Sequence, residues 1–238
     1  MNRPDGEAKS GLSSVTLPVR TADGARAVVK IGWPGRTSEH EHLVLRRWGG
    51  DGAVRLLRAD PRRRALLLER LHPQDLRTLT DAEACEVVAG LYRRIHIPAM
   101  PQLPTPTSLL EQWAGDFEAL PRSAPIPHRL VEQAIAWSRD LATDPVSARS
   151  VVHGNLHYAK VLAADREPWL AIAPKPINGD PHYELAPMLW NRWDELTGHV
   201  RDGIRHRLYT LVDTAGLDDE PRPREPAHVR ERSLPLEE

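Results

Sequence analysis

The chain has 238 residues, with 32 Lys plus Arg against 33 Asp plus Glu and a formal charge of −1, a balance too even to drive binding to nucleic acid or an anionic membrane. A single cysteine, Cys85, excludes an internal disulfide framework and suits a reducing compartment. No apolar run of about 18 residues and no signal-peptide pattern occurs, so the composition, 40% hydrophobic, reads as a soluble cytoplasmic chain with enough apolar residues for a substantial core.

Residues 1 to 12 are polar, and Ser13 to Arg20 and Ala25 to Ile31 then read as strands joined by Ala22-Asp23-Gly24, because Asp-Gly between two apolar runs favours a tight hairpin. Leu43, Val44 and Trp48 mark a helix from about 38 to 48 that ends at Gly49-Gly50 with a left-handed cap. Two further strands come next, Ala53 to Arg58 and Ala65 to Leu71. The pattern then turns helical. Thr80-Asp81-Ala82-Glu83 has the spacing of a capping box, and Ala84, Val87, Val88, Leu91 and Ile95 form an apolar face behind it. Leu109 to Leu120 and Leu130 to Leu141 make two more amphipathic faces between proline-rich connectors. Short strand patterns return at 151–152, 161–163 and 169–172, and helices at about 181–197 and 201–215. Residues 218 to 238 mix charge with proline and are expected to be disordered.

A β-rich part with a strand lysine and a helix glutamate, followed by a helical part with a His-Gly loop and a short hairpin, is the organisation of a kinase-like phosphotransferase. His153-Gly154-Asn155-Leu156-His157-Tyr158, Trp169 to Pro176, Gly179-Asp180-Pro181 and Tyr183-Glu184 resemble the active-site segment of aminoglycoside phosphotransferases, in the branch of streptomycin kinases and hydroxyurea-kinase-like proteins. Ala27-Val28-Val29-Lys30, Glu39-His40-Glu41-His42, Trp48 to Leu57 and Leu66 to Leu71 are similar to the same family's N-terminal lobe.

The resemblance implies a bilobal α+β protein-kinase-like fold. It implies a truncated N-lobe over 1–71 whose first strand is missing, leaving an unpaired sheet edge, a helical C-lobe over 72–217 with a catalytic-loop remnant, and the disordered tail. It makes Lys30 the phosphate-holding strand lysine with Glu41, or Glu39, as its helix partner, and makes Glu69 and Leu71 the hinge that meets adenine. His157, Asp180 and Glu184 fall on the substrate side, where carboxylates suit a polycationic antibiotic.

Three departures fall where the chemistry needs particular groups. The family's catalytic Asp is Asn155 here, whose amide is no base. An Asn that ligates Mg²⁺ is replaced by Lys160, which has three donors and no acceptor. The Asp that bridges metal and phosphates is replaced by Ala173. The expectation is therefore a catalytically inactive homologue of a streptomycin-like O-phosphotransferase, with no catalytic residue intact, ATP weakly held and no Mg²⁺ bound. The small-molecule partner would be an aminoglycoside, with neither nucleic acid nor membrane involved. Two alternatives stand beside it: an active antibiotic kinase with an altered metal site, or a pseudoenzyme that binds nucleotide or aminoglycoside without turnover. His153 and His157 lack a third close ligand for zinc, and Gly6 to Gly11 imitates a Walker loop but has Leu12 where Lys is needed.

Overall fold

Apolar runs in the first 70 positions produce an antiparallel sheet, and successive side chains on its strands point to opposite faces, so that the strand Ala65–Glu69 alternates half-buried and buried positions. The structure, a computed structural model, describes residues 3–34, 39–196 and 198–217. Strands β1 (Arg3–Pro4), β2 (Lys9–Ser10), β3 (Ser14–Arg20), β4 (Arg26–Gly32), β5 (Leu56–Asp60) and β6 (Ala65–Glu69) form one sheet in the order β1-β3-β4-β6-β5, with β2 also on β3. Lys30 pairs with Thr16 on one side and Leu66 on the other, so it sits on a central strand.

The outer edge of β3 differs from expectation. Rather than lying bare, it is covered by residues 3–10: Arg3 pairs with Arg20, the Asp5 amide donates to the Pro18 carbonyl at 2.8 Å, and Lys9 pairs with Thr16. The segment has no β-branched residue, so strand propensity could not reveal it. Backbone pairing to a waiting edge supplies the order instead.

Helix α1 (Glu41–Trp48) packs beside β5 and ends at Gly49 with φ +62°, the left-handed cap read from the sequence. Helix α2 (Asp81–Ile95) carries the full capping box at Thr80 and Glu83. Val44, Leu45 and Trp48 of α1, Leu66 and Leu68 of β6, and Val88, Tyr92 and Ile95 of α2 share one continuous core. Backbone hydrogen bonds at two places tie the sheet side to the hairpin beyond residue 160. The Val54 amide donates to the Ala171 carbonyl and the His72 amide to the Ala163 carbonyl, and the Ala171 and Ala163 amides donate in turn to the Gly52 and Gln74 carbonyls, all at 2.9 Å.

After β7 (Ile97–Pro98), helices α3 (Thr107–Glu118) and α4 (His128–Thr143) pack on each other. The expected core face of α4 is not buried: Leu130, Trp137 and Leu141 are 46, 47 and 45% exposed, and the helix buries Val131 and Ser138 instead. Its partner α3 is also amphipathic, so the register of the helix pair, rather than the apolar stripe alone, chooses the buried side.

Strands β8 (Ser150–Val152), β9 (Val161–Ala163), β10 (Trp169–Ala171) and β11 (Ile177–Gly179) form two small sheets, β9 with β10 and β11-β8-β7. The helix expected over 181–197 is broken into a 3₁₀ turn at Pro181–Leu185, α5 (Ala186–Trp190) and a second 3₁₀ turn at Trp193–Leu196, with Arg192 at φ +55° between them. Helix α6 (Val200–Ala215) closes the described chain against α2. Residues 218–238, expected to be disordered, lie outside the described residues. Among the described residues no helix is long and apolar enough to cross a membrane.

Candidate active site

The two parts of the molecule meet at a cleft of about 590 Å³, lined from the sheet by Val28, Lys30, Leu68, Glu69, Arg70 and Leu71 and from the loop side by Lys160, Leu162, Ile172 and Ala173. Segments more than 100 residues apart in sequence thus converge on one place.

On the sheet side, Lys30 Nζ donates to both oxygens of Glu41, at 2.6 and 2.7 Å, and both side chains are buried. Of the two candidate partners, Glu41 rather than Glu39 makes the pair. Burial pushes the Glu41 carboxyl above its ordinary range, while the ammonium groups of Lys30 and Lys160 oppose that shift. Glu69 lines the cleft, but its carboxylate is engaged elsewhere: it accepts from Arg166 Nη2 at 2.8 Å and from the Arg55 amide at 2.7 Å. Arg166 also donates to the Ala53 carbonyl and to Glu167, and Glu167 accepts from Arg94, which reaches Asp51. This chain of ion pairs joins the sheet, α2 and the β9–β10 turn beside the hinge. Leu71 lines the cleft beside it.

On the loop side, β8 leads into His153-Gly154-Asn155. Gly154 has φ +72°, and a Cβ there would stand 2.3 Å from the Lys175 carbonyl oxygen, so glycine is required twice over, by conformation and by space. His153 is fully buried and stacks on Trp48, with ring centroids 6.2 Å apart. Its Nε2 lies 3.1 Å from the Ile172 carbonyl, which fixes Nε2 as the protonated nitrogen, and its carbonyl accepts from the Lys175 amide at 2.8 Å. Burial lowers the His153 pKa to about 4, so the ring is a neutral strut. These bonds rule out its use as a zinc ligand through Nε2.

Asn155 is next, half-buried, and forms no hydrogen bond to the described residues. Lys160 ends a 3₁₀ turn (Tyr158–Lys160), with its amide on the His157 carbonyl at 2.7 Å and its own carbonyl accepting from the Ile172 amide at 2.8 Å. Its ammonium is held below the ordinary lysine range, first by burial and then by Lys30 and Lys175, with Glu41 opposing. Ala173 completes the loop wall with φ +54°.

The three residues assigned to the substrate side occupy different environments. His157 is half-buried beside the loop, its pKa lowered to about 4 by burial and by Lys160, Lys175 and Arg77. Asp180 caps the 3₁₀ turn at Pro181–Leu185, accepting from the His182 amide at 2.8 Å and lying 2.7 Å from His182 Nδ1. Glu184 is not on an open surface. It is fully buried beneath the loop, and both of its oxygens accept from the Gly154 amide, at 3.0 and 3.1 Å. Burial alone would raise its pKa, but His96, His153 and the Gly154 amide outweigh that and lower it. A buried carboxylate with these partners holds the loop in place, and it offers no group to a solvent-borne ligand.

The family of aminoglycoside/hydroxyurea antibiotic resistance kinases matches residues 1–225. The chain belongs to that family. It is 39% identical over 228 residues to a streptomycin 6-kinase of Streptomyces glaucescens, covering 90% of this chain and 71% of that one. It is 38% identical over 228 residues to a hydroxyurea phosphotransferase of Kitasatospora aureofaciens, covering 88 and 66%. An ethanolamine kinase of Plasmodium vivax has the same fold at 10% identity, with a TM-score of 0.58 over 90% of this chain and 68% of that one. The bilobal α+β kinase-like architecture expected from the sequence is therefore present.

Sequence reasoning missed the groups that position the family's loop from behind. Arg207, fully buried on α6, donates to Asp81 at 2.7 Å and to the Asn191 carbonyl at 2.6 Å. Tyr158 donates to the same Asp81, and Arg207 and Arg192 lie over its ring. An arginine within an amphipathic helix reads as solvated; only the packing of α6 against α2 turns it inward.

Proposed function

We propose that this chain is an antibiotic-kinase homologue that holds nucleotide weakly between residues 1–71 and 72–217 and transfers no phosphoryl group. The observation that carries this reading is the contrast at one cleft between Lys30, complete with its Glu41 partner, and a loop wall that presents Lys160 and Ala173, with Asn155 in the adjoining His-Gly loop. Phosphoryl transfer relies on positioning and on metal electrostatics, and a divalent cation needs oxygen donors. Lys160 brings a positive charge instead, and Ala173 brings a methyl group. The residues present therefore do not fit Mg²⁺.

Loss of a positioned base costs about 10²–10⁴ in rate by itself, and loss of the metal ligands removes most of what remains. The backbone of Ala173 supports the replacement reading. Its φ of +54° lies in a region that Asp and Asn enter several-fold more readily than alanine, so the conformation suits the residue that the family resemblance assigns there.

In this reading Lys30, Glu41, Glu69 and Leu71 frame the nucleotide, Glu69 through its backbone. An aminoglycoside would approach beside His157 and Asp180, with Glu184 supporting the loop from below. The test is ADP release from ATP and Mg²⁺ in the presence of streptomycin. None above the antibiotic-free rate is expected. Antibiotic-dependent release that Lys30→Ala abolishes would overturn the reading.

A further inference from the structure

Three lysines line the cleft, exposed Lys9 at its rim and Lys30 and Lys160 further in, and the Glu41 carboxylate acts on the inner two. Lys30 is satisfied by Glu41. Lys160 lines the same cleft, half-buried, and among the described residues its side chain makes no ion pair and no hydrogen bond. A partly desolvated cation facing like charges is costly to keep unpaired, and its surroundings agree: Lys30 and Lys175 both act to discharge it, with Glu41 alone acting the other way. The remaining charges of the cleft do not answer it. Arg70 is paired with Asp5 at 2.6 Å and Glu69 with Arg166, while Glu7 and Lys9 add one exposed charge of each sign. Ser14, Thr16 and His72 add neutral polar groups, and Val28, Leu68, Leu71 and Ile172 supply an apolar surface. A ligand that suits it has a flat apolar end and a multiply anionic end.

We propose that Lys160, together with Lys30, makes this cleft a site for nucleoside polyphosphates in their metal-free form, the lysine ammonium standing where the family resemblance would put a divalent cation. The inference rests on the proposed function, in which nucleotide is held here without Mg²⁺. It adds a sign to that function. An ammonium is a compact point charge with donors for phosphate oxygens, and a divalent cation on the triphosphate cancels part of the charge that the two lysines use. Mg²⁺ therefore competes with the site. A metal-dependent kinase site shows the reverse, with affinity rising as metal is added.

Calorimetric titration of the full chain with ATP, in EDTA and then in excess Mg²⁺, tests this. Binding is expected in EDTA, several-fold weaker in Mg²⁺, in the order ATP over ADP over AMP, and weakening as NaCl is raised because partly exposed charges are screened. Lys160→Ala should lower the affinity for free ATP about tenfold or more. Lys160→Gln, which keeps the stem and removes the charge, should do the same if the alanine variant is unfolded, with circular dichroism reporting the fold. Affinity that rises with Mg²⁺ overturns the inference and the metal-free reading together. Affinity unchanged in a folded Lys160 variant overturns the inference alone. A folded chain that binds ATP in neither buffer also overturns it, but leaves the proposed absence of phosphoryl transfer intact, which only antibiotic-dependent ADP release would remove.

Discussion

The two walls of the cleft have been treated differently. The sheet wall retains the Lys30–Glu41 pair, with both oxygens engaged and both side chains buried. The loop wall retains its shape, through Gly154, the buried His153 and the Glu184 carboxylate under the loop, yet its cleft-side positions carry an ammonium and a methyl group. Groups that build the loop are buried, so their loss would cost folding stability. On the same wall Lys160 and Ala173, which face the cleft, are only partly buried, and such positions cost little to exchange. The contrast teaches that scaffold and chemistry in this fold are held by different side chains and can separate.

The sharpest way to test that separation is to restore the chemistry on the existing scaffold. The triple change Asn155→Asp, Lys160→Asn and Ala173→Asp should bring antibiotic-dependent ADP release from background to a measurable rate, an effect of orders of magnitude. Asn155→Asp alone should do little, because residues acting as a unit are strongly non-additive. Full activity from the single change would mean that the metal site has been assigned to the wrong residues.

The next largest effect falls on the scaffold itself. Gly154→Ala forces a Cβ to within 2.3 Å of the Lys175 carbonyl at φ +72°, and should destabilise the fold by about 3 kcal/mol, from backbone strain and displacement of the loop. Urea unfolding measures it. A Gly154→Ala chain as stable as the parent would show that the loop is soft and the contrast between the walls unreal.

A smaller effect comes with pH. Burial lowers His153 from an ordinary value of 6.5 to about 4, so the folded state holds a neutral ring while the unfolded chain takes up a proton. The associated stability is complete above about 6.5 and is lost as pH falls towards 4. At pH 5 the loss should be about 2 kcal/mol from this group, with half-buried His157 acting in the same direction. Unfolding free energies at pH 7 and pH 5 report it, and His153→Gln should flatten the difference. An equally steep profile in that variant would move the effect to another group.

Much of the fold was legible because its signals are local. The Asp23-Gly24 hairpin, the Gly49 cap and the Thr80–Glu83 capping box depend on neighbours within a few residues, and each formed as read. The coating of β3 by residues 3–10 was not legible, since its order comes from an edge that exists only after β3 and β4 have paired. The exposed stripe of α4 failed for a related reason. Leu130, Trp137 and Leu141 share a face by periodicity, but α3 took the side marked by Val131 and Ser138.

At the site, the sequence by itself determined which functional groups are available: a strand lysine, a helix glutamate, and an amide, an ammonium and a methyl group at the three loop positions. Residue identity settles whether an atom can accept a proton or donate an electron pair, and no fold can change it. Tertiary structure alone decided where those groups stand and what else they meet. It chose Glu41 over Glu39 as the partner of Lys30, turned Arg207 inward, took Glu184 out of solvent to brace Gly154, and brought Lys160 into the cleft with Lys30. Those outcomes depend on burial and on distances between residues far apart in sequence, quantities that come into being only when the chain has closed on itself.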